Sequence, residues 1–156
     1  MIELESLYGK KVSRPKGDLS FRPSAYAIIV HAEKLLLLKT KSRGKFFVPG
    51  GAINVGEKLE EGLIREVMEE TNIQIKVEKF LFFREKFFYY DPLGKSWQIF
   101  AFFYLCSPVT FDISDKNCES DEETEIPCWI EISDLSSSDF QTFGSDILCA
   151  ITEIQH

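Results

Sequence analysis

Apolar residues along this chain fall into short runs separated by polar turn segments, and most of these runs have the composition of β-strands. Residues 24–30 and 35–39 are rich in small and aliphatic residues, and the polar residues 31–34 between them predict a hairpin turn. Aromatic and β-branched residues predict further strands over residues 73–88, 97–105 and 128–132. The sequence therefore predicts a fold in which strands dominate.

One segment, residues 57–71, has the period of an amphipathic helix. Its apolar stripe recurs every four residues and is widened by two flanking positions, the whole set being Leu59, Leu63, Val67, Ile64 and Met68. The helix is predicted to end near Asn72, because Asn adopts the left-handed backbone that often follows a helix more readily than most residues other than Gly. A last helix, capped by Ser145, is predicted to bury Ile147, Leu148, Ile151 and Ile154.

The order of these elements predicts an α/β (α+β) fold in which helices cover a sheet. A chain of 156 residues is expected to form one domain, spanning residues 1–156. Residues 1–20 are polar and basic, and two interpretations stay open for them: an edge strand or a loose N-terminal arm. Residues 133–143 carry no pattern that assigns them to a helix or a strand.

Composition narrows the functional classes. The net charge of −7 argues against general nucleic-acid binding, and the longest aliphatic run, residues 35–38, is too short to span a membrane. The four cysteines include no closely spaced pair and are expected to be reduced thiols, which favours a cytoplasmic protein. Basic residues are concentrated in residues 1–50 and acidic residues in the rest, so the acidic part is expected to attract divalent cations.

Candidate chemistry lies on the predicted helix. Glu66, Glu69 and Glu70 are related by spacings of three and four, so their side chains are neighbours on the helix surface and repel one another. A hard cation such as Mg²⁺ or Mn²⁺ would relieve this repulsion. The alternative is a solvated acidic face balanced by Lys58 and Arg65, and the helix alone does not decide between the two.

The wider pattern around the helix is more specific. From Gly51 the sequence reads GAINVGEKLEEGLIREVMEETNI, which resembles the signature of the Nudix hydrolases. The matching positions are Gly51, Glu57, Arg65, Glu66, Val67, Glu69, Glu70 and Ile73. The chain departs from the signature at Asn72, where the family has Gly. Because that Gly has a conformational role, Asn is expected to replace it.

The resemblance implies an αβα sandwich around a mixed β-sheet, and an enzyme that uses Mg²⁺ or Mn²⁺ to hydrolyse a diphosphate linkage. By position, the metal ligands would be Glu66 and Glu70, with Glu69 as a further or water-mediated ligand and the Gly50 carbonyl beside them. Arg65 and Glu57 would pair and hold the loop against the helix. The general base would be a carboxylate either in the signature or in a later loop, where the candidates are Glu119, Glu122, Glu123 and Glu125.

Substrate contacts are predicted from residues near the signature. Basic residues ahead of it, Lys39 and Arg43 first among them, would reach phosphates, and Phe46 and Tyr90 would stack on a base. Trp97 is a further candidate for stacking. The alternatives are solvated loop charges for the basic residues and core packing for the aromatic ones.

The expected substrate is a small-molecule nucleotide, with a nucleoside triphosphate as the broadest choice. Dinucleoside polyphosphates, ADP-ribose and nucleotide sugars remain alternatives. Two non-enzymatic hypotheses also stay open, a nucleotide-binding module of the same fold without catalysis and an acidic interaction protein. The expected partners include neither nucleic acid nor a membrane, and the protein is expected to be a monomer or a homodimer.

Overall fold

A computed structural model describes residues 1–40, 44–114 and 125–155. The described part of the chain forms nine strands and two α-helices. The strands are β1 (Ile2–Ser6), β2 (Lys11–Arg14), β3 (Leu19–His31), β4 (Lys34–Thr40), β5 (Phe46–Phe47), β6 (Gly50–Ala52), β7 (Ile75–Tyr90), β8 (Lys95–Pro108) and β9 (Glu125–Glu131). The helices are α1 (Leu59–Thr71) and α2 (Gly144–Ile154).

The strands form a mixed, curled sheet. Its main path runs β2-β1-β7-β8-β3-β4-β5, while β6 pairs with β3 and β9 pairs with β4. The pairs β3–β8 and β1–β7 are parallel, and the other pairs are antiparallel. The parallel pair β3–β8 is long, running from Leu19 opposite Ser96 to Ile29 opposite Cys106.

The two helices cover opposite faces of this sheet. Leu63 and Val67 of α1 pack in one hydrophobic cluster with Ala27 and other residues, whereas Ile147 and Ile151 of α2 pack in a second cluster. Ile28 belongs to the second cluster although it follows Ala27 directly, because successive side chains of a strand point to opposite faces. The predicted αβα sandwich is therefore confirmed.

Two local predictions were confirmed, the hairpin turn between β3 and β4 and the left-handed residue at the end of α1. Ala32 and Glu33, the two residues between β3 and β4, have φ values of 50° and 64°, as a tight two-residue hairpin turn requires. Asn72 follows α1 with a φ of 66° and donates its backbone N–H to the Met68 carbonyl. The left-handed conformation predicted for Asn72 is thus present.

Other local predictions were wrong. Ser145 does not cap the last helix, since α2 begins at Gly144 and Phe143 occupies the cap position with a φ of 58°. The chain packs tightly there, because a Cβ on Gly144 would lie 2.2 Å from the Ser137 carbonyl oxygen. On α1, Ile64 and Met68 are 38% and 37% exposed, so the buried stripe is narrower than the pattern predicted.

The structure also describes the N-terminal segment, residues 133–143 and three of the cysteines. Residues 2–14 contribute β1 and β2 to one end of the sheet, and the unassigned residues 133–143 contain the short 3₁₀ turn Ser137–Asp139. Of the cysteines within the described ranges, Cys106, Cys128 and Cys149 are free thiols. Neither helix in this part of the chain is long and apolar enough to cross a membrane.

Candidate active site

The site is built where β6 runs against β3. The backbone pairs join Ser24 to Ala52, Ala25 to Gly51 and Tyr26 to Gly50. Gly50 has a φ of 141°, and a Cβ there would lie 2.1 Å from the Ala25 carbonyl oxygen, so no other residue fits without moving the backbone. A Cβ on Gly51 would lie 2.9 Å from a carboxylate oxygen of Glu66. The two glycines therefore let β6 pass between β3 and the α1 carboxylates.

Arg65 and Glu57 hold the loop between β6 and α1. The Arg65 Nε donates to Glu57 Oε2 at 2.7 Å and its Nη2 donates to Oε1 at 2.9 Å, which makes a two-pronged ion pair. Arg65 Nη2 also donates to the Ala52 carbonyl at 3.2 Å, and the Asn54 N–H donates to Glu57 at 2.8 Å. The Arg65 hydrogen bond, followed by that of Asn54, lowers the pKa of Glu57 from 4.5 to about 2.

The same guanidinium also engages two of the helix carboxylates. Arg65 Nη1 donates to Glu66 at 3.1 Å and to both oxygens of Glu69 at 3.3 Å. The Glu69 side chain is 55% exposed, whereas that of Glu66 is only 19% exposed. Glu69 thus lies on the solvent side of the helix, and Glu66 lies between Arg65 and the protein interior.

Glu70 is more enclosed by protein than Glu66. One of its oxygens accepts the Gly50 N–H at 2.8 Å. Burial, then the neighbouring charge of Glu125, raises the pKa of Glu70 well above its usual value, and the Gly50 hydrogen bond only partly opposes this. Burial also raises the pKa of Glu66, despite its hydrogen bond from Arg65. These two carboxylates are held where a negative charge is poorly solvated.

Glu66 and Glu70 face a cavity of about 500 Å³. Glu125, at the start of β9, lines the same cavity. The remaining wall contains the backbone around Gly50, two basic residues and several aromatic ones. The basic residues are Arg22 and Lys86, and the aromatic residues are Tyr26, Phe47, Phe88, Tyr90, Trp97 and Phe143.

The structure brings together only some of the residues predicted from the sequence. Glu66, Glu70, Gly50, Glu125 and Tyr90 line one cavity. Arg65, Glu57 and Glu69 form the ion-pair network beside it. The predicted ligand atom of Gly50 was its carbonyl oxygen, whereas the contact seen here is from its N–H to Glu70.

Two predicted substrate contacts lie elsewhere. The Lys39 ammonium lies 5.8 Å from the centre of the Phe46 ring, and neither residue lines the cavity. Phe47 lines it instead, since adjacent strand residues point to opposite faces. Arg43 and the candidate bases Glu119, Glu122 and Glu123 fall outside the described residues.

Sequence reasoning missed Arg22 and Lys86. A signal for Arg22 was present, because Arg22, Ser24 and Tyr26 alternate with other residues along one strand and therefore share a face. No comparable signal marks Lys86, whose position depends on how β7 pairs with β1 and β8. Phe143 was also missed, because it lies in the segment without a clear pattern.

The carboxylates that line the cavity are candidate ligands of a divalent metal. Within residues 1–40, 44–114 and 125–155, no three His, Cys, Asp or Glu side chains gather as a ready-made metal site. Glu66 accepts a hydrogen bond from Arg65 at 3.1 Å. Even so, three carboxylates line one cavity, and Mg²⁺ typically needs only one or two of them together with water and phosphate oxygens. The donor set therefore fits a hard cation.

Solved structures share this fold. A NUDIX hydrolase from Nitrosomonas europaea matches with a TM-score of 0.67 at 18% identity, over 86% of this chain and 72% of that one. An ADP-ribose pyrophosphatase from Streptococcus suis matches with a TM-score of 0.61 at 17% identity, over 86% and 92%. A UDP-X diphosphatase matches with a TM-score of 0.59 at 21% identity, over 88% and 65%.

Sequence comparison finds relatives at higher identity. Nudix hydrolase 1 of Caenorhabditis elegans is 31% identical over 123 residues, which are 78% of this chain but 30% of the relative. An ADP-ribose pyrophosphatase of Methanocaldococcus jannaschii is 36% identical over 89 residues, 49% of this chain and 53% of the relative. This chain thus spans about a third to a half of these relatives. The family model of the NUDIX domain matches residues 20–150, and the chain therefore belongs to the NUDIX family.

Proposed function

We propose that this protein is a metal-dependent pyrophosphohydrolase that cleaves a diphosphate linkage in nucleotide-like small molecules. The observation that carries the proposal is one cavity lined by Glu66, Glu70 and Glu125 and also by basic and aromatic side chains. An acidic end suits a divalent cation, and a basic, aromatic end suits phosphates and a flat ring. One cavity therefore has complementary groups for both parts of a metal–nucleotide complex.

Each residue has a proposed role. Glu66 and Glu70 bind Mg²⁺ or Mn²⁺, with Glu69 in reach through water. Bound metal would supply the Lewis acidity that polarises a phosphoryl oxygen and acidifies water. The Gly50 N–H fixes the Glu70 carboxylate by a 2.8 Å hydrogen bond. Arg65 and Glu57 keep the loop between β6 and α1 in place.

Glu125 is our candidate for the general base, which would accept a proton from the attacking water. It lines the cavity and acts electrostatically on Glu70, so it lies close to the proposed metal ligands. The other two carboxylates of the cavity, Glu66 and Glu70, would already bind the metal. A base also has to reach the proton it removes, and Glu125 at the start of β9 satisfies this requirement better than the exposed Glu69.

Two classes of compound are candidate substrates. One is nucleoside triphosphates, and the other is nucleoside diphosphates that carry a further chemical group. The names of two similar proteins, an ADP-ribose pyrophosphatase and a UDP-X diphosphatase, favour the second class. The cavity volume of about 500 Å³ accommodates either.

The test is a substrate panel with and without Mg²⁺: a nucleoside triphosphate, ADP-ribose, UDP-glucose and a diadenosine polyphosphate. Products are separated by chromatography, so that the cleaved bond is identified. We expect at least one compound to be cleaved only with metal, and Glu70→Gln to lower that rate about 100- to 1,000-fold.

The matched control is Glu60→Gln, on the exposed side of the same helix. It removes one negative charge from α1 without touching the cavity, so the rate should stay within about twofold of the unchanged protein. An intact protein that binds nucleotides but cleaves none of them would refute the enzymatic proposal. That outcome would support the nucleotide-binding module instead.

A further inference from the structure

The basic, aromatic end of the cavity contains a three-layer stack. Trp97 lies on β8, Arg22 on the neighbouring strand β3, and Tyr90 at the end of β7 on the other side. The Arg22 guanidinium carbon lies 3.9 Å from the centre of the Trp97 ring. The Tyr90 and Trp97 rings are 5.4 Å apart with an angle of 17° between their planes. The indole is thus packed between its neighbours from the two flanking strands.

The other cations around the cavity are already engaged. Arg65 donates hydrogen bonds to Glu57, Glu66, Glu69 and the Ala52 carbonyl. The Lys86 ammonium lies 3.6 Å from Glu5 and contacts the Phe88 ring, and its side chain is only 12% exposed. Both cations thus already have an anionic partner.

Arg22 differs from both. Within the described ranges of the chain, its side chain makes neither a hydrogen bond nor an ion pair, and its guanidinium lies against the indole ring. A guanidinium carries five N–H donors in a planar fork that matches two oxygens of a phosphate. Stacking on an aromatic ring fixes that plane and leaves its edge available.

The position of Arg22 links the two ends of the cavity. Two residues further along β3, Ser24 pairs with Ala52 of β6, and the Ile53 N–H donates to the Pro23 carbonyl at 3.0 Å. Arg22 therefore lies beside the strand that leads to the acidic end. Its charge also acts on Glu66, where it opposes the upward effect of burial on the pKa. Arg22 and Glu66 line the same cavity, so one bound ligand can contact both.

From these contacts we infer that Arg22 is an anion-binding residue of the substrate site, which takes a phosphate of a diphosphate in its guanidinium fork. Trp97 is then the support that holds Arg22 flat, and the sequence-based expectation that Trp97 stacks on a base is replaced. The inference rests on the proposed function for the identity of the ligand. It adds that a ligand with two linked phosphates binds more tightly than one with a single phosphate.

Equilibrium binding tests this inference without any turnover. The probe is α,β-methylene-ADP, whose bridging carbon resists hydrolysis, and its dissociation constant is measured by calorimetry with Mg²⁺ present. Arg22→Met should weaken binding about 10- to 100-fold, the equivalent of one lost charge-assisted pair of hydrogen bonds. Arg22→Lys keeps the positive charge but not the planar fork of donors. Its dissociation constant for the probe should lie between those of the unchanged protein and Arg22→Met. AMP should bind more weakly than the probe to the unchanged protein and should respond less to Arg22→Met.

The matched control is Arg14→Met. Arg14 also lies over an aromatic ring, that of Tyr89 at 4.8 Å, but it does not line the cavity. Its replacement should leave the dissociation constant within about twofold, and a thermal melt of each variant checks that it is folded. Equal affinities for the unchanged protein and Arg22→Met would overturn the inference.

The outcomes separate this inference from the proposed function. A protein that hydrolyses a diphosphate but binds the probe independently of Arg22 retains its function and refutes the role of Arg22. If the unchanged protein cleaves nothing, and Arg22→Met weakens binding of the probe, hydrolysis is refuted and the anion site is supported.

Discussion

Glu57 lies just before α1 and Glu70 lies near its end, and the surroundings of the two carboxylates are opposite. Glu57 is held by two hydrogen bonds from Arg65 and one from Asn54, and its pKa is lowered to about 2. Glu70 faces the cavity with a hydrogen bond from Gly50, beside the like charge of Glu125, and burial raises its pKa. The fold stabilises the first carboxylate as an anion, whereas burial and a neighbouring like charge disfavour the anion of the second.

The difference separates a structural role from a binding role. A carboxylate held by a two-pronged pair with a guanidinium is stabilised as an anion and has few lone pairs left for a ligand. A carboxylate kept from water beside other carboxylates costs folding free energy unless a cation binds. Perturbed groups of the second kind are concentrated at functional sites. We therefore propose a structural role for Glu57 and a metal-binding role for Glu70.

The largest effect is expected for the glycine that positions Glu70. In Gly50→Ala, the new Cβ would lie 2.1 Å from the Ala25 carbonyl oxygen, at a φ of 141° that side chains rarely adopt. Because backbone rather than a flexible side chain blocks it, we expect a loss of about 4 kcal/mol or more in the free energy of unfolding, or failure to fold. Urea denaturation measures the loss.

Gly56→Ala is the matched control for this variant. Gly56 also has a positive φ, 92°, but nothing lies within 4 Å of its Cβ position. Its replacement should cost only about 1 kcal/mol, from the backbone alone. Similar losses for the two variants would mean that β6 does not lie against β3 as described, and the placement of Glu70 would have to be revised.

Metal binding is expected to have the next largest effect. If Glu70 gains a cation, Mg²⁺ at about 100 times its dissociation constant should raise the free energy of unfolding by about 2.7 kcal/mol through mass action. Thermal melts over a series of Mg²⁺ and Mn²⁺ concentrations measure this. Glu70→Gln should lose most of the response, whereas Glu60→Gln on the exposed side of α1 should keep it.

A response that is the same in Glu70→Gln as in the unchanged protein would contradict the comparison. The cation would then bind elsewhere, and the high pKa of Glu70 would reflect burial without function. Equal responses to Ca²⁺ and Mg²⁺ would indicate a looser site than the one proposed, because Mg²⁺ demands a smaller and more regular arrangement of oxygens.

The architecture of this region was predictable from the sequence because its signals are local. The period of Leu59, Leu63 and Val67 defines α1, and Asn72 ends it with the left-handed backbone that its side chain tolerates. The spacing of Glu66 and Glu70 places them one helical turn apart. Each of these features depends on a few neighbouring residues, so one sequence suffices to find them.

Arg22 and Lys86 were not predicted as lining residues of the cavity, because their places depend on pairing between distant segments. Arg22 meets Trp97 only because β3 and β8 pair in parallel with Arg22 opposite Ile99. A shift of one residue in that register would turn Arg22 to the other face of the sheet. Register over such a distance is set by the packing of the whole sheet, and no short motif in the chain records it.

The smallest effect expected is a change of slope in the pH dependence of stability without metal. Glu70 has a raised pKa, so its contribution to stability is complete below the usual carboxyl pKa of 4.5 and is lost as the pH rises through its folded-state value. Glu57 has a lowered pKa, so its contribution is present above 4.5 and is lost as the pH falls towards about 2.

The two carboxylates should therefore act in opposite directions on either side of pH 4.5, and each can be removed separately. Urea denaturation in EDTA from pH 7 to pH 2.5 should give a difference curve for Glu70→Gln that changes above pH 4.5, and one for Glu57→Gln that changes below it. Groups that do not interact with the replaced carboxylate titrate alike in both proteins of each pair and cancel in the difference. If both difference curves changed in the same pH range with the same sign, the two ends of the helix segment would have equivalent environments, and the separation of architecture from chemistry would fail.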